Sequence, residues 1–197
     1  MTRPRLSLIS LASALFASLG LALSGGAAAT LTACGGSGGS SSTTGTGGTE
    51  APACFDYTGY DGTDPAVSFQ TDVLPIFRTS CGLSASCHGT EQGHPEKQHY
   101  LGPKNADPAP TAAQIQAIFD QNVGVASVEN PDMKIIEAGH PEESFLMYKL
   151  DGVGCDKLTC AAKDTCEALM PQGNTKPMAA DKRDAIRAWI KQGAKND

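Results

Sequence analysis

The sequence predicts a mainly α-helical fold, with three to five helices joined by long loops. Apolar residues recur at helical spacing in separate stretches of the chain after residue 67. No stretch of useful length alternates apolar and polar residues as a half-buried strand does. The chain of 197 residues holds 7 cysteines, which indicates an oxidising compartment in which disulfides staple the loops. Long loops in a compact domain are typical of a bound group or a functional segment.

The first two helices are predicted from their caps and apolar faces. Ser68 is a typical N-cap for the first helix, and Pro75 predicts either a kink or a late start. The second helix should begin near Thr111. Residues 123–136, with Pro131 in their middle, are ambiguous in secondary structure. The expected buried faces consist of Phe69, Val73, Ile76 and Phe77 in the first helix, and of Ala112, Ile115, Ile118 and Phe119 in the second.

The last two helices lie in the second half of the chain. Pro141 suits the first position of a third helix that reaches Leu150, and Gly152 should end it. The fourth helix should begin near Ala179–Asp181 and stop near Gly193, a residue type common just past a helix end. Its expected buried side consists of Ala185, Ile186, Trp189 and Ile190.

The N-terminal region has the layout of an exported lipoprotein. Arg3 and Arg5 precede an apolar run over residues 6–23, which is typical of a secretory signal peptide. The run is rich in Ser and Ala and no charged stop follows it, which disfavours a transmembrane helix. Leu-Thr-Ala before Cys34 resembles the bacterial lipobox, so residues 1–33 should be removed and Cys34 lipidated. Cleavage a few residues earlier, which would leave a free Cys34 thiol, is the alternative.

The mature chain would then consist of two parts. Residues 34–53 are rich in Gly, Ser and Thr and should form a flexible tether, while residues 54–197 form the folded domain. Gly35 after the lipidated cysteine is compatible with the outer membrane. We therefore expect a lipid-anchored protein of the bacterial cell envelope.

Composition excludes several classes of function. The formal net charge is −6 and no basic patch is visible, so nucleic acid is not an expected partner. A nucleophilic triad, a pair of catalytic carboxylates and a phosphate-binding loop are all missing, so the chain is not expected to be an enzyme. A zinc site built from Cys155, Cys160, Cys166 and a histidine is a further alternative, but these spacings differ from the usual short pairs.

One short segment carries the chemistry. Cys81 and Cys87 stand close together, and His88 follows directly. Cys-x-x-Cys-His is the attachment signature of c-type haem, but here five residues separate the cysteines. Six positions correspond to about 600° of helical rotation, so a helix cannot present both thiols on one face. The small residues between them would allow a loop that does. The alternative is a Cys81–Cys87 disulfide with His88 on the surface.

The order of these parts resembles a class I cytochrome c domain, especially those in secreted proteins of planctomycetes and myxobacteria. The resemblance spans residues 68–194 and is carried by four segments: Asp72–Phe77, Cys87-His88-Gly89, His140–Leu146 and Met170-Pro171. It implies a cytochrome c-like bundle of helices that holds one haem c. Cys81 and Cys87 would form its thioethers, His88 would be the proximal iron ligand and Met170 the distal one.

The resemblance also implies secondary roles. Leu101, Phe119, Leu146 and Trp189 would wall the ring, and His94 or His99 could replace Met170 as the distal ligand. The implied function is that of a lipid-anchored electron-transfer protein with a transient, basic redox partner protein. The main alternative is a haem-free, disulfide-stapled interaction or structural module. In either case we expect disulfides among Cys54, Cys155, Cys160 and Cys166. A third possibility is a subunit that feeds electrons to a redox enzyme.

Overall fold

A computed structural model describes residues 54–92, 98–152, 158, 160, 166 and 168–197. These residues belong to one of the two units into which the chain divides, Thr32–Asp197. The predictions for the signal peptide, Cys34, the tether, His94 and Cys155 lie outside the described residues. The described part contains four α-helices: α1 Leu74–Ser80, α2 Ala112–Asn122, α3 Phe145–Asp151 and α4 Ala180–Lys191.

Helices dominate the described part of the chain, which confirms the mainly α prediction. Strand pairing within these residues is limited to three isolated bridges, Val123 with Ile136, Ala126 with Lys134, and Lys134 with Ser144. Two short turns of other helical types, Phe69–Val73 and Pro141–Glu143, precede α1 and α3. Among the same residues, no helix combines the length and apolar character that crossing a membrane requires.

The chain enters α1 through a π-helical turn that Ser68 caps. The Ser68 hydroxyl oxygen accepts a hydrogen bond from the Thr71 amide at 3.3 Å. The α-helix itself begins only at Leu74 and carries Pro75 in its first turn. This is the late start that Pro75 predicted, because a proline lacks the amide hydrogen that a helix interior needs. Phe69, Val73 and Phe77 are fully buried, as their spacing predicted.

Helix α2 begins at Thr111 as expected, with a capping box. The Thr111 hydroxyl accepts from the Gln114 amide, and the Gln114 side chain accepts from the Thr111 amide. Ile115 and Ile118 are buried, whereas Ala112 is exposed, so its predicted burial is wrong. The last residue of the helix, Asn122, is fully buried.

The predicted third helix is interrupted at Ser144. Residues Pro141–Glu143 form one 3-10 turn, Ser144 is extended with a ψ of 118°, and α3 starts after it. The Ser144 hydroxyl donates to His140 O at 2.9 Å and accepts from the Glu137 amide at 2.9 Å. The amides of the next two residues bond to carbonyls of residues 134 and 135 instead of to their own turn. The segment 123–136 therefore docks against the start of α3. Gly152, with a φ of +125°, ends the helix.

Four aromatic side chains from four helical elements form the centre of the core. Phe69, Phe77, Phe119 and Trp189 contact one another with ring centroids 4.8 to 6.2 Å apart. Trp189 lies on α4, whose start at Ala180 and end before Gly193 agree with the prediction. Ile186 and Ile190 are also fully buried on its expected side.

A buried charge on α4 was not predicted. Arg187 is 0% exposed and donates to Asp151 at 2.6 Å and to the Tyr57 hydroxyl at 3.2 Å. It also pairs with Asp184, and its guanidinium lies 3.5 Å from the ring centroid of Phe55. These contacts fasten the segment that opens the described part of the chain onto α3 and α4.

Candidate functional site

The segment from Cys81 to Gly89 folds into a tight loop directly after α1. The His88 amide donates to Cys81 O at 3.0 Å, and the amides of Cys87 and Gly89 donate to Ser84 O at 3.1 and 3.2 Å. Glycine is needed at Gly89, because a Cβ there would lie 2.8 Å from the carbonyl oxygen of Gly82. The loop therefore returns His88 to the end of α1, and the five-residue spacer is taken up by a turn rather than by a helix.

A cavity of about 330 Å³ opens beside this loop. Cys81, Cys87 and His88 line it together with Met170, which follows α3 along the chain. The four residues that the sequence singled out as a group thus reach one cavity from two separate segments. The volume lies in the range of roughly 300–1,000 Å³ that is typical of ligand pockets.

The walls of the cavity are largely apolar. Leu101 and Leu146, two of the predicted wall residues, contribute to it, whereas Phe119 and Trp189 pack in the aromatic core and are not among its lining residues. Phe145 and Leu150 of α3 and Ile135 complete this apolar surface. Such walls suit a largely apolar ligand with few hydrogen-bonding atoms.

The His88 ring is held in one orientation. Its Nδ1 lies 2.7 Å from the carbonyl oxygen of His99, and because a carbonyl only accepts, Nδ1 carries the hydrogen. This tautomer leaves the lone pair on Nε2, which makes no hydrogen bond within the described part of the chain. Burial lowers the pKa of His88 below its ordinary value, which favours the neutral ring that a metal needs.

His99 lines the same cavity but lies beside His88 rather than on a separate segment. Burial, followed by the charge of His88, lowers the pKa of His99 to about 4. Met170 is partly buried, packs against the core, and its amide donates to Lys149 O at 2.8 Å. Met170 is thus tied to the last turn of α3, so it reaches the cavity from a different segment than His88 and His99.

The five described cysteines divide into one free thiol and four disulfide-bonded sulfurs. Cys160 and Cys166 form a disulfide with each other, and both Cys54 and Cys87 are disulfide-bonded. Cys81 is a free thiol, 7% exposed, and burial raises its pKa to about 12. The alternative of a Cys81–Cys87 disulfide is therefore wrong, and so is a zinc site that uses Cys160 and Cys166 as thiolates.

Gln121 and Asn122, at the end of α2, hold the segment next to His99 that orients His88. The Tyr100 amide donates to Gln121 Oε1 at 3.0 Å, and Asn122 Nδ2 donates to Tyr100 O at 2.8 Å. Tyr100 lies directly after His99, the residue whose carbonyl bonds to His88. The Leu101 amide in turn donates to His88 O at 2.9 Å. Helix α2 thus fixes the partner of the His88 ring.

Asn122 holds its side-chain amide in one orientation beside the cavity. Its Nδ2 donates to the carbonyls of Tyr100 and Ile118, which fixes the orientation of the amide because neither carbonyl can donate. Its Oδ1 is buried and has no hydrogen-bond partner within the described part of the chain, and Asn122 is one of the residues that line the cavity.

A charged pair also lines the cavity. Lys149 of α3 is 5% exposed, and its Nζ lies 3.0 Å from Glu129 and 5.6 Å from the ring centroid of Phe145. Val128, which is 44% exposed, stands next to Glu129 and also lines the cavity. The cavity therefore reaches solvent near this pair.

Sequence reasoning missed Asn122 and Lys149. A signal for Asn122 was present, since it follows Ile115 and Ile118 at helical spacing and so places a polar residue on the buried stripe of α2. Lys149 carried no comparable signal, because its burial depends on Glu129, a residue twenty positions away.

Within the described residues, no three side chains among His, Cys, Asp and Glu converge as a metal site would require. A haem iron requires fewer protein ligands, because the porphyrin ring supplies four of its ligands and the protein only one or two. Comparison of the chain with family models, with curated proteins and with solved structures found no match.

Proposed function

We propose that this chain is a c-type cytochrome-like electron-transfer protein that holds one haem in the cavity beside residues 81–89. The observation that carries the proposal is the meeting of Cys81, Cys87, His88 and Met170 at one largely apolar cavity. When bound, haem supplies reversible one-electron exchange at its iron, and a His and Met ligand pair raises the reduction potential.

The chain's own residues would bind, orient and shield the group. His88 offers Nε2 in a fixed tautomer, because His99 O holds its Nδ1 hydrogen. Met170 offers a thioether from the segment tied to α3. Leu101, Leu146 and the other apolar wall residues exclude water, and a drier, less polar site favours the less charged oxidation state.

The setting of the protein is proposed on the sequence alone. Lipidation at Cys34 would anchor it to the cell envelope, and the tether would let the domain reach other proteins. A net charge of −6 favours a basic, transient redox partner.

One observation favours the alternative, a haem-free and disulfide-stapled interaction module. Cys87 is disulfide-bonded, so one of the two sulfurs that a c-type haem normally uses is already engaged. In this case the cytochrome-like arrangement of helices would persist, and the cavity would hold only water or a small ligand.

Expression of the full chain in a host with a haem c maturation system tests the proposal. We expect a reduced visible spectrum with haem bands and an intact mass increased by one haem. His88→Ala should abolish haem binding, and Met170→Leu should retain haem but lower its reduction potential.

Matched controls are available for both variants. His140 is an exposed histidine and Met147 is a buried methionine that does not line the cavity, so His140→Ala and Met147→Leu should leave the spectrum unchanged. Absence of both the haem bands and the mass increment in the parent protein would refute the proposal and favour the alternative.

A further inference from the structure

The two cysteines of the 81–89 loop reach the same cavity in different chemical states. Cys81 is a thiol, 7% exposed, directly after α1. Cys87, 5% exposed, is disulfide-bonded and also lies 3.2 Å from the Ser84 hydroxyl. The sequence motif treats the two sulfurs as equivalent, and the structure separates them.

This difference decides which sulfur can form a thioether. In that reaction the S–H bond adds across the C=C bond of a vinyl group, forming one C–S and one C–H bond, with no net oxidation or reduction. A thiol can react in this way, whereas a disulfide sulfur carries no hydrogen and must first be reduced by two electrons. With the Cys87 disulfide in place, only Cys81 is competent.

We propose that the cavity attaches haem through a single thioether at Cys81, while Cys87 stays in its disulfide and positions the adjacent His88. The inference rests on the proposed function. It is supported by a second observation, the fixed His88 ring at the same cavity, whose Nδ1 hydrogen bonds to His99 O and whose Nε2 is left available.

The loop geometry gives each sulfur its separate role. Cys81 O accepts the His88 amide, so the attachment point and the ligand are tied by one hydrogen bond of 3.0 Å. Cys87 precedes His88 directly, and its amide donates to Ser84 O. A disulfide at Cys87 therefore restrains the backbone that carries His88. A thioether at Cys87 is not needed for that restraint.

Peptide mapping of the full-length parent protein, matured with haem and digested without reduction, tests the inference directly. We expect one haem on the peptide that contains Cys81, and Cys87 in a disulfide-linked peptide. The pyridine haemochrome band should lie between those of haem with no thioether and haem with two. Haem joined to both cysteines, or to Cys87 alone, would overturn the inference while leaving the proposed function intact.

Two variants give the same test by another readout. Cys81→Ala should lose covalent haem, so that acid and organic solvent extract all of it, although His88 and Met170 still allow binding. Cys87→Ala should keep covalent haem, as should the control Cys160→Ala, which removes a different disulfide. Retention of covalent haem in Cys81→Ala contradicts the inference. A parent protein that contains no haem at all overturns the proposed function as well.

Discussion

Removal of the Asp151 carboxylate should destabilise the domain strongly. Asp151 is 5% exposed, and one of its oxygens accepts from Arg183 at 2.5 Å and from Arg187 at 2.6 Å. In Asp151→Ala the fully buried Arg187 loses its main buried counter-charge, and breaking a buried ion pair on one side costs about 3–5 kcal/mol. Arg187 keeps Asp184 and the Phe55 ring, so we expect the lower end, about 3 kcal/mol.

Urea unfolding followed by circular dichroism measures this cost as the change in free energy of unfolding at constant m-value. A matched surface control is Lys134→Ala, because Lys134 and Glu137 pair at 2.6 Å with side chains that are 46% and 27% exposed. That variant should lose less than about 1 kcal/mol. The double variant Asp151→Ala/Arg187→Met should recover part of the loss, since it removes the unpaired charge. An Asp151→Ala protein as stable as the control would refute the reasoning.

Two further predictions concern the His88 support and the response to alkaline pH. Asn122→Ala should cost about 1–3 kcal/mol by leaving the Tyr100 carbonyl unpaired, and should broaden or shift the nitrogen NMR signals of the His88 ring. Among the described residues the Gln116 side chain bonds to Asp120 on the exposed face of α2, so Gln116→Ala should change neither. Equal behaviour of the two variants would contradict the role of Asn122 in holding the Tyr100 carbonyl. Burial raises the pKa of Tyr57 to about 12, so the folded state keeps a proton that the unfolded state releases near pH 10. Stability should therefore hold up to about pH 10 and fall as pH rises towards 12, less steeply in Tyr57→Phe; an unchanged slope in that variant would exclude Tyr57 as a source.

The helices could be predicted where local signals and burial agree. Ser68 and Thr111 cap the first two helical segments as expected, and the apolar stripe of α4 is buried as its spacing required. The break at Ser144 could not be predicted, because it depends on hydrogen bonds to residues 134 and 135. The local sequence favours a continuous helix over residues 141–150, and hydrogen bonds to distant residues override that preference.

Arg187 illustrates the same limit within a correctly predicted helix. The sequence places it among Ile186, Trp189 and Ile190, where a charged residue is expected to reach solvent. Its burial requires Asp151 and Tyr57, which lie 36 and 130 positions away. No local pattern indicates such partners.

The candidate site was predictable in its members but not in its chemistry. Cys81, Cys87, His88 and Met170 were chosen from the sequence, and all four line one cavity. The pairing state of the cysteines was not predictable, because six or seven cysteines allow many combinations and spacing does not choose among them. The structure separates the Cys81 thiol from the Cys87 disulfide, and the attachment that we propose depends on that difference.

The contact between Phe55, Tyr57 and Arg187 has a mechanical consequence. If Cys34 is lipidated, as we propose, a pull from the anchor would enter the described part of the domain at residues 54–60. The aromatic rings and the Tyr57 hydroxyl would pass that load to Arg187, and thus to α4 and the end of α3. Residues 81–89 contribute none of these contacts, so the share of a load that the contacts carry reaches α3 and α4 without passing through the candidate site.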